Sequence, residues 1–445
     1  MAASDMRNRR HVQLLLTWST NAAHPVSLDR SPYRVLSAGP AEPRFFSELV
    51  TAPPPPFSSR LGTGGVPSFY SYCMLFTYRC VSGSILVVCV ITGGEGALLA
   101  AAGSVIGIGN DIGGSIRIPA FINGVFGHKP TAGSLVDMAS ARLLKDVITS
   151  KTKTDVFLNV VPCVMAGVLS NRGQFPEPTG QLEHYLTAGP MCRYAEDLEL
   201  VLRCLAGSQW SAKLGLDLPV SLADLKVFYM EGDGGNPCVS PLHPDVRSGL
   251  LKVLKYFEVK VGVRPEPVDL DLRHAAQIWG HKMLAGTKTD CASVLGGSGT
   301  YHAGWELARW IVGKSNHTFP AVGAGVVEAI EKRRIKKREY LFKKYDRLER
   351  QFQDMLKENC IFLFPTLPEP APYHNRPLFQ MHNCNFLGLF NVLGLPVTQC
   401  PVGLSGEGLP VGVQVVAGKL QDRLTLAVAR RLEEEFGGWI DPSAP

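Results

Sequence analysis

The 11 cysteines of this sequence include no Cys-x-x-Cys pair, and its 11 histidines include no His-Glu-x-x-His. Neither a disulfide framework nor a helix-borne zinc site is indicated, no metal or cofactor is expected, and the scattered thiols suit a reducing compartment. Charge is sparse: 19% of residues are charged, the net balance is a mild +6, and the basic residues are not gathered beside aromatic strands. Nucleic acid is therefore not an expected partner. A long apolar run is also lacking. The most hydrophobic stretch, Cys73 to Ile91, is interrupted by Arg79, and only the 15 residues from Cys80 to Gly94 are free of charge. Spanning a bilayer takes about 20 apolar residues, so the stretch reads as a buried strand, with a spanning helix as the lesser alternative. Lysine is missing from the whole first quarter of the chain: the first one is Lys129.

What is present is concentrated between Gly93 and Pro130, GGEGALLAAAGSVIGIGNDIGGSIRIPAFINGVFGHKP. Gly94 to Gly103, rich in alanine, leucine and glycine, predicts a helix packed closely on a flat surface. Val105 to Gly109 predicts a short buried strand, and Asn110 to Ser115 the tight turn that leaves it. Ile116 to Pro119 reads as a return to an extended apolar path, and Asn123-Gly124 as a turn. Gly113-Gly114-Ser115 is in isolation an ordinary turn, since these are common turn residues. The two glycines also let a serine hydroxyl and nearby amide N–H groups converge on one point, as a nucleophile beside an oxyanion hole requires. Competing motifs are incomplete. Gly107-x-Gly109 has Ile112 where a dinucleotide fingerprint needs glycine, and Gly313-Lys314-Ser315 has Ala308 where a phosphate loop needs one. Gly296 to Thr300 ends in threonine, which makes Ser298 a poor second nucleophile.

Taken whole, the segment resembles the signature of the amidase family of serine hydrolases, on Asp111-Ile112-Gly113-Gly114-Ser115-Ile116-Arg117 and Phe126-Gly127-His128-Lys129-Pro130. It looks most like the fatty-acid amide hydrolase members of that family. The resemblance implies one α/β domain with a mixed β-sheet flanked by helices, Ser115 as nucleophile, and the N–H groups of Ile112, Gly113, Gly114 and Ser115 as oxyanion donors. Asp111 and Arg117 would brace the turn. It implies a lipid amide as substrate and attachment to an intracellular membrane surface. Two features depart from the family. Counting back 24 positions from Ser115, the family's spacing to its second catalytic serine, lands on Ile91, with Thr92 next to it as a supporting hydroxyl. The family's upstream lysine base has no counterpart, because no lysine precedes Lys129. The activity of this chain is thus open between a hydrolase and a non-catalytic lipid-amide or membrane-surface binder.

The resemblance runs over Gly93 to Gly133 and resumes at Val168, continuing to Pro442. The expected organisation is an atypical segment over 1–92, with a Pro-rich linker at Pro53 to Pro56, and an amidase domain over 93–442 interrupted by an insertion at 134–167. A mis-joined exon and a divergent isoform both produce breaks of this kind. Arg7, Arg9 and Arg10 precede the apolar Leu14 to Trp18, but the apolar part is short and no cleavage site stands out, so no targeting peptide is expected. Further along, helices are expected over Leu198 to Leu205, His243 to Phe257, Gly325 to Cys360, Phe386 to Pro396 and Leu424 to Phe436. Strands are expected at Leu225 to Met230, Ile361 to Pro365 and Gly408 to Gly418. Glu331 to Arg338 reads as a solvated charged face. Trp305 to Val312, with Arg309 and Lys314, suits either a membrane-facing cap or a helix packed on the core with solvated basic residues.

Overall fold

The computed structural model describes residues 76–79, 85–88, 92–132, 165–166, 169–170, 182–286, 302–315, 317, 322–323, 325–326, 329, 339–373, 376 and 380–442. Pro53 to Pro56, Ile91, Ser298, Glu331 to Arg338 and most of the expected insertion lie outside them. In chain order the strands are β1 (Phe76–Arg79), β2 (Ile85–Val88), β3 (Ile106–Asp111), β4 (Phe126–Lys129), β5 (Met165–Ala166), β6 (Leu169–Ser170), β7 (Thr187–Cys192), β8 (Lys226–Tyr229), β9 (Glu266–Pro267), β10 (Cys360–Pro365), β11 (Val397–Leu404) and β12 (Pro410–Ala417). The helices are α1 (Gly93–Ala100), α2 (Arg117–Ile122), α3 (Leu182–Tyr185), α4 (Ala195–Lys213), α5 (Pro244–Tyr256), α6 (Ala275–Gly286), α7 (Ala303–Ile311), α8 (Tyr340–Met355), α9 (Gly388–Val392) and α10 (Asp422–Phe436).

Eight strands form one mixed sheet in the order β3-β7-β4-β11-β12-β10-β8-β9. β10 runs parallel to β8, and β8 to β9, while the other pairs are antiparallel. β10 has the sequence CIFLFP and is buried along its full length, as an unbroken apolar run in a strand covered on both faces requires. Its side chains divide by alternation. Ile361 and Leu363 join Val413 and Val415 beneath α4, α5 and α10, whereas Phe362 and Phe364 join Val416 and Phe390 beneath α6, α8 and α9. Burying these two faces supplies the main driving force, at roughly 25 cal/mol per Å² of apolar area.

The register also sorts the polar residues. Asp111 pairs with Thr187, Lys129 with Val397, and Gln399 with Gln414 and Gly127. Alternation therefore sets Asp111, Thr187, Lys129, Gln399 and Gln414 on the face under α2 and α9, all fully buried. His128 and Thr398 point the other way. There His128 meets Thr398 Oγ1 at 2.8 Å and Asp422 Oδ1 at 3.3 Å, and Asp422 accepts the N–H of Thr131 at 2.9 Å. This network fastens the end of β4 to β11 and the start of α10.

Several expectations are revised. Cys73 to Ile91 contains two short strands, β1 and β2, which pair with each other rather than forming one strand. Ile116 to Pro119 is not extended, because α2 begins at Arg117. Pro119 is its third residue, where no N–H is needed within the first turn, and Ile118 N–H donates to Gly114 O at 2.7 Å. Of the helix expected from Gly325 to Cys360, α8 covers Tyr340 to Met355, Leu356 leaves helical geometry with ψ 54° and Cys360 opens β10, while most of 324–338 lies outside the described residues.

Gly189 shows how tightly the sheet packs at this end: a Cβ there would lie 2.1 Å from His128 O. Gly189→Ala should lower stability by about 3 kcal/mol, the upper part of the usual overpacking range. Gly280→Ala, in α6 with nothing within 4 Å, should be neutral or stabilising by up to about 1 kcal/mol. Differential scanning calorimetry of the two variants checks the contrast.

Candidate active site

β3 delivers Asp111 to the edge of the buried polar layer, and the chain then turns back over its carboxylate. Gly114 N–H donates to Asp111 Oδ1 at 2.7 Å and Ile116 N–H to Oδ2 at 3.3 Å. The turn requires glycine at 114, where φ is +117° and a Cβ would stand 2.8 Å from Leu387 Cδ1. Gly113 is required by contact: Trp279 of α6 lies over it, so a Cβ would come 2.8 Å from the indole, and Trp279 Nε1 donates to Ile112 O at 2.7 Å. Ser115 follows, 4% exposed, and its carbonyl accepts the Thr92 hydroxyl.

Arg117 opens α2 and is completely buried. A guanidinium has five N–H donors, and each has an acceptor here. Nε reaches Asp111 Oδ2 at 2.9 Å, and Nη2 reaches Asp111 Oδ1 at 3.0 Å and Asn391 Oδ1 at 2.7 Å. Nη1 reaches Gln414 Oε1 at 3.1 Å and Leu387 O at 3.3 Å. The partners are themselves held. Asn391 of α9 donates to both the carboxylate and the carbonyl of Asp111 at 2.9 Å, and Gln414 of β12 donates to Pro365 O and Phe386 O. Burial pushes the Asp111 carboxyl up, but the charge and hydrogen bonds of Arg117, with help from Lys129 and Asn391, outweigh it and hold Asp111 at about 2.

The structure thus brings Thr92, Asp111, Ile112, Gly113, Gly114, Ser115 and Arg117 into one constellation. Within it Gly114 N–H is turned to Asp111, which leaves Ile112, Gly113 and Ser115 as the backbone groups to consider as oxyanion donors. Sequence reasoning does not reach Trp279, Leu387, Asn391 and Gln414. They lie 160 to 300 residues further along, and only the fold reports their proximity.

Arg117→Met would leave the Asp111 charge buried without its partner and should cost about 3–5 kcal/mol, read as a lower urea midpoint. Because the folded value of Asp111 lies below its ordinary one, its contribution is complete above about pH 4 and is lost as pH falls through about 2, amounting to about 2 kcal/mol. Urea midpoints followed from pH 5 downward should show this loss in the parent, and Asp111→Asn should flatten it.

Comparison with known proteins bears on the family and the fold. Residues 84–140 and 165–426 match the Amidase family profile. Fatty-acid amide hydrolase 2 of Homo sapiens is 41% identical over 362 residues, covering 79% of this chain and 61% of that protein. Fatty-acid amide hydrolase 2-A of Danio rerio is 40% identical over 359 residues, covering 79% and 60%. The chain therefore spans about three fifths of the length of these relatives. Among solved structures, an amidase superposes with a TM-score of 0.54 at 21% identity, covering 80% of this chain and 68% of that one. A bacterial aryl acylamidase does so with 0.52 at 17%, covering 81% and 69%. At such identities these structures speak for the fold, and the profile, matched over most of the sequence, speaks for the family: this chain belongs to the amidase family.

Proposed function

We propose that this chain cleaves the C–N bond of fatty-acid amides, releasing a fatty acid and an amine, with Ser115 as nucleophile. The observation that carries the reading is the turn itself. Five guanidinium contacts and two backbone N–H bonds to Asp111 are devoted to holding one serine in a tight glycine turn, more than a connecting loop needs. The names of the relatives supply the substrate class: both are fatty-acid amide hydrolases.

In this reading Ser115 Oγ attacks the amide carbonyl as its proton is removed, and the N–H groups of Ile112, Gly113 and Ser115 receive the negative charge that develops on oxygen. The tetrahedral intermediate collapses, the nitrogen leaves with a proton, and water then releases the acyl group from Ser115. Asp111 and Arg117 are fully buried and serve to hold the turn. The catalytic domain is taken as 93–442, with 134–167 as an insertion. α7 supplies the membrane contact in this reading: Trp305 is 66% exposed, Ile311 70% and Val312 64%, with Arg309 and Lys314 alongside. Among the described residues no helix is long and apolar enough to cross a bilayer.

A second reading has its own support. Ile91 stands where the family's second serine would be, and no lysine precedes Lys129. A serine without a base is a weak nucleophile at neutral pH, so a protein that holds a lipid amide without turning it over is the alternative.

Treating the purified protein with a fluorophosphonate probe should give a covalent adduct by mass spectrometry, absent from Ser115→Ala. Hydrolysis of a long-chain fatty-acid amide should fall in Ser115→Ala by on the order of 10⁴-fold or more. Folded protein that never labels, yet binds the amide equally well with and without Ser115, would establish the binding reading instead.

A further inference from the structure

The backbone of the Ser115 turn is held group by group. Gly114 N–H and Ile116 N–H donate to Asp111, Ser115 O accepts the Thr92 hydroxyl, and Ile112 O accepts Trp279 Nε1–H at 2.7 Å. Gly113 N–H, in contrast, has no acceptor among the described residues. Trp279 settles where that N–H points. A trans peptide is planar, with its C=O and N–H on opposite sides of the C–N bond. With Ile112 O drawn to the indole, the N–H of Gly113 in the same peptide unit faces away from it. The hydrogen bond to the carbonyl also polarises the peptide unit, which makes its N–H a stronger donor.

The seat of the indole is itself constrained. Asn385, buried, accepts Ala276 N–H at 2.7 Å in the first turn of α6, three residues before Trp279. Its amide donates to Asp233 Oδ2 at 2.6 Å and Leu272 O at 2.8 Å, so the start of the helix is tied on two sides. Further along the same segment, Leu387 O accepts Arg117 Nη1 at 3.3 Å, and Gly388 opens α9 flush against the ring. A Cβ at Gly388 would lie 2.6 Å from Trp279 Cγ, and one at Gly113 would lie 2.8 Å from Cζ2 and 3.4 Å from Nε1. Side chains are thus missing at two places where they would strike the ring. The short run from Asn385 to Gly388 fixes the helix, the indole and the arginine brace together.

Resting on the hydrolase reading above, we infer that Trp279 is a positioning residue for the reaction: by holding Ile112 O it aims Gly113 N–H at the carbonyl oxygen of the bound amide. Trp279 acts through the Ile112–Gly113 peptide and not on the substrate. A donor fixed before the reaction begins favours the tetrahedral intermediate, in which the oxygen carries charge, over the neutral amide. The hold on Ile112 O therefore contributes to turnover and little to substrate binding. A tryptophan that only fills space against the turn would need its ring and not its N–H.

The test separates the N–H from the ring. Replacing Trp279 with 3-benzothienylalanine puts sulfur in place of the indole N–H within the same bicyclic outline, and Trp279→Phe serves as a second variant that lacks the donor. Two quantities are read against the parent: kcat and KM for a long-chain fatty-acid amide, and the affinity of a long-chain trifluoromethyl ketone, whose hemiketal with Ser115 carries the oxyanion. Losing an oxyanion donor outright costs about 10²–10³ in kcat, so loosening one should lower kcat and ketone affinity together by about 10-fold in the benzothienyl protein. KM should stay within about twofold, and the thermal midpoint at the parent's, because the packing is unchanged. Parent-like kcat and ketone affinity in the benzothienyl protein, or a raised KM with kcat unchanged, overturn the inference and leave the hydrolase reading standing. A parent that neither turns over the amide nor binds the ketone covalently overturns the hydrolase reading, and this inference with it.

Discussion

The Asp111–Arg117 pair is the contact on which the rest of this site depends. Both charges are fully buried, and such a pair is tolerated only when the remaining donors and acceptors are also matched. Here the matching is complete on the arginine side, and the groups that do it come from β3, α2, α9 and β12, four elements scattered over 300 residues. The Ser115 turn is therefore completed only where β3, β12 and α9 come together.

The packing around the pair follows the same logic. Gly109, Gly127 and Gly189 remove side chains from three adjacent strands so that Ile116 can sit directly on the sheet. Lowering the turn onto the strands is what brings Arg117 within reach of Gln414 and Asn391. On the opposite face the sheet is held in apolar contact with α4, α5 and α10, while the face under α2 and α9 combines the apolar packing of Phe362, Phe364 and Phe390 with the buried polar layer. Such a layer costs free energy unless it is satisfied.

How much of this the sequence discloses depends on the range of the interaction. The strand into Gly109, the glycine turn and Ser115 lie close together, and glycine spacing with apolar alternation is enough to read them, whereas the fold carries the strand two residues further, to Asp111. So are α4, α5, α10, β8, β10 and β12, whose apolar residues recur at the helical or strand period. α2 escapes such a reading because proline in an apolar run suggests an extended path, although its position in the first helical turn removes the objection. Trp279, Asn391 and Gln414 carry no local signal at all. An asparagine in a short helix or a glutamine in a strand becomes informative only when the fold points it at a buried charge. Lys129 is visible in the Gly127-His128-Lys129-Pro130 run, but its burial is a property of the sheet.

A hydrolase with Ser115 as nucleophile and a holder of lipid amides that never reacts would share the same brace. The measurement that separates them most directly is the intact mass of the protein quenched in acid shortly after mixing with a long-chain fatty-acid amide. The hydrolase account predicts a species heavier by the acyl group, with the added mass on the peptide containing Ser115. Saturable binding of the amide with no acylated species at any time would contradict it.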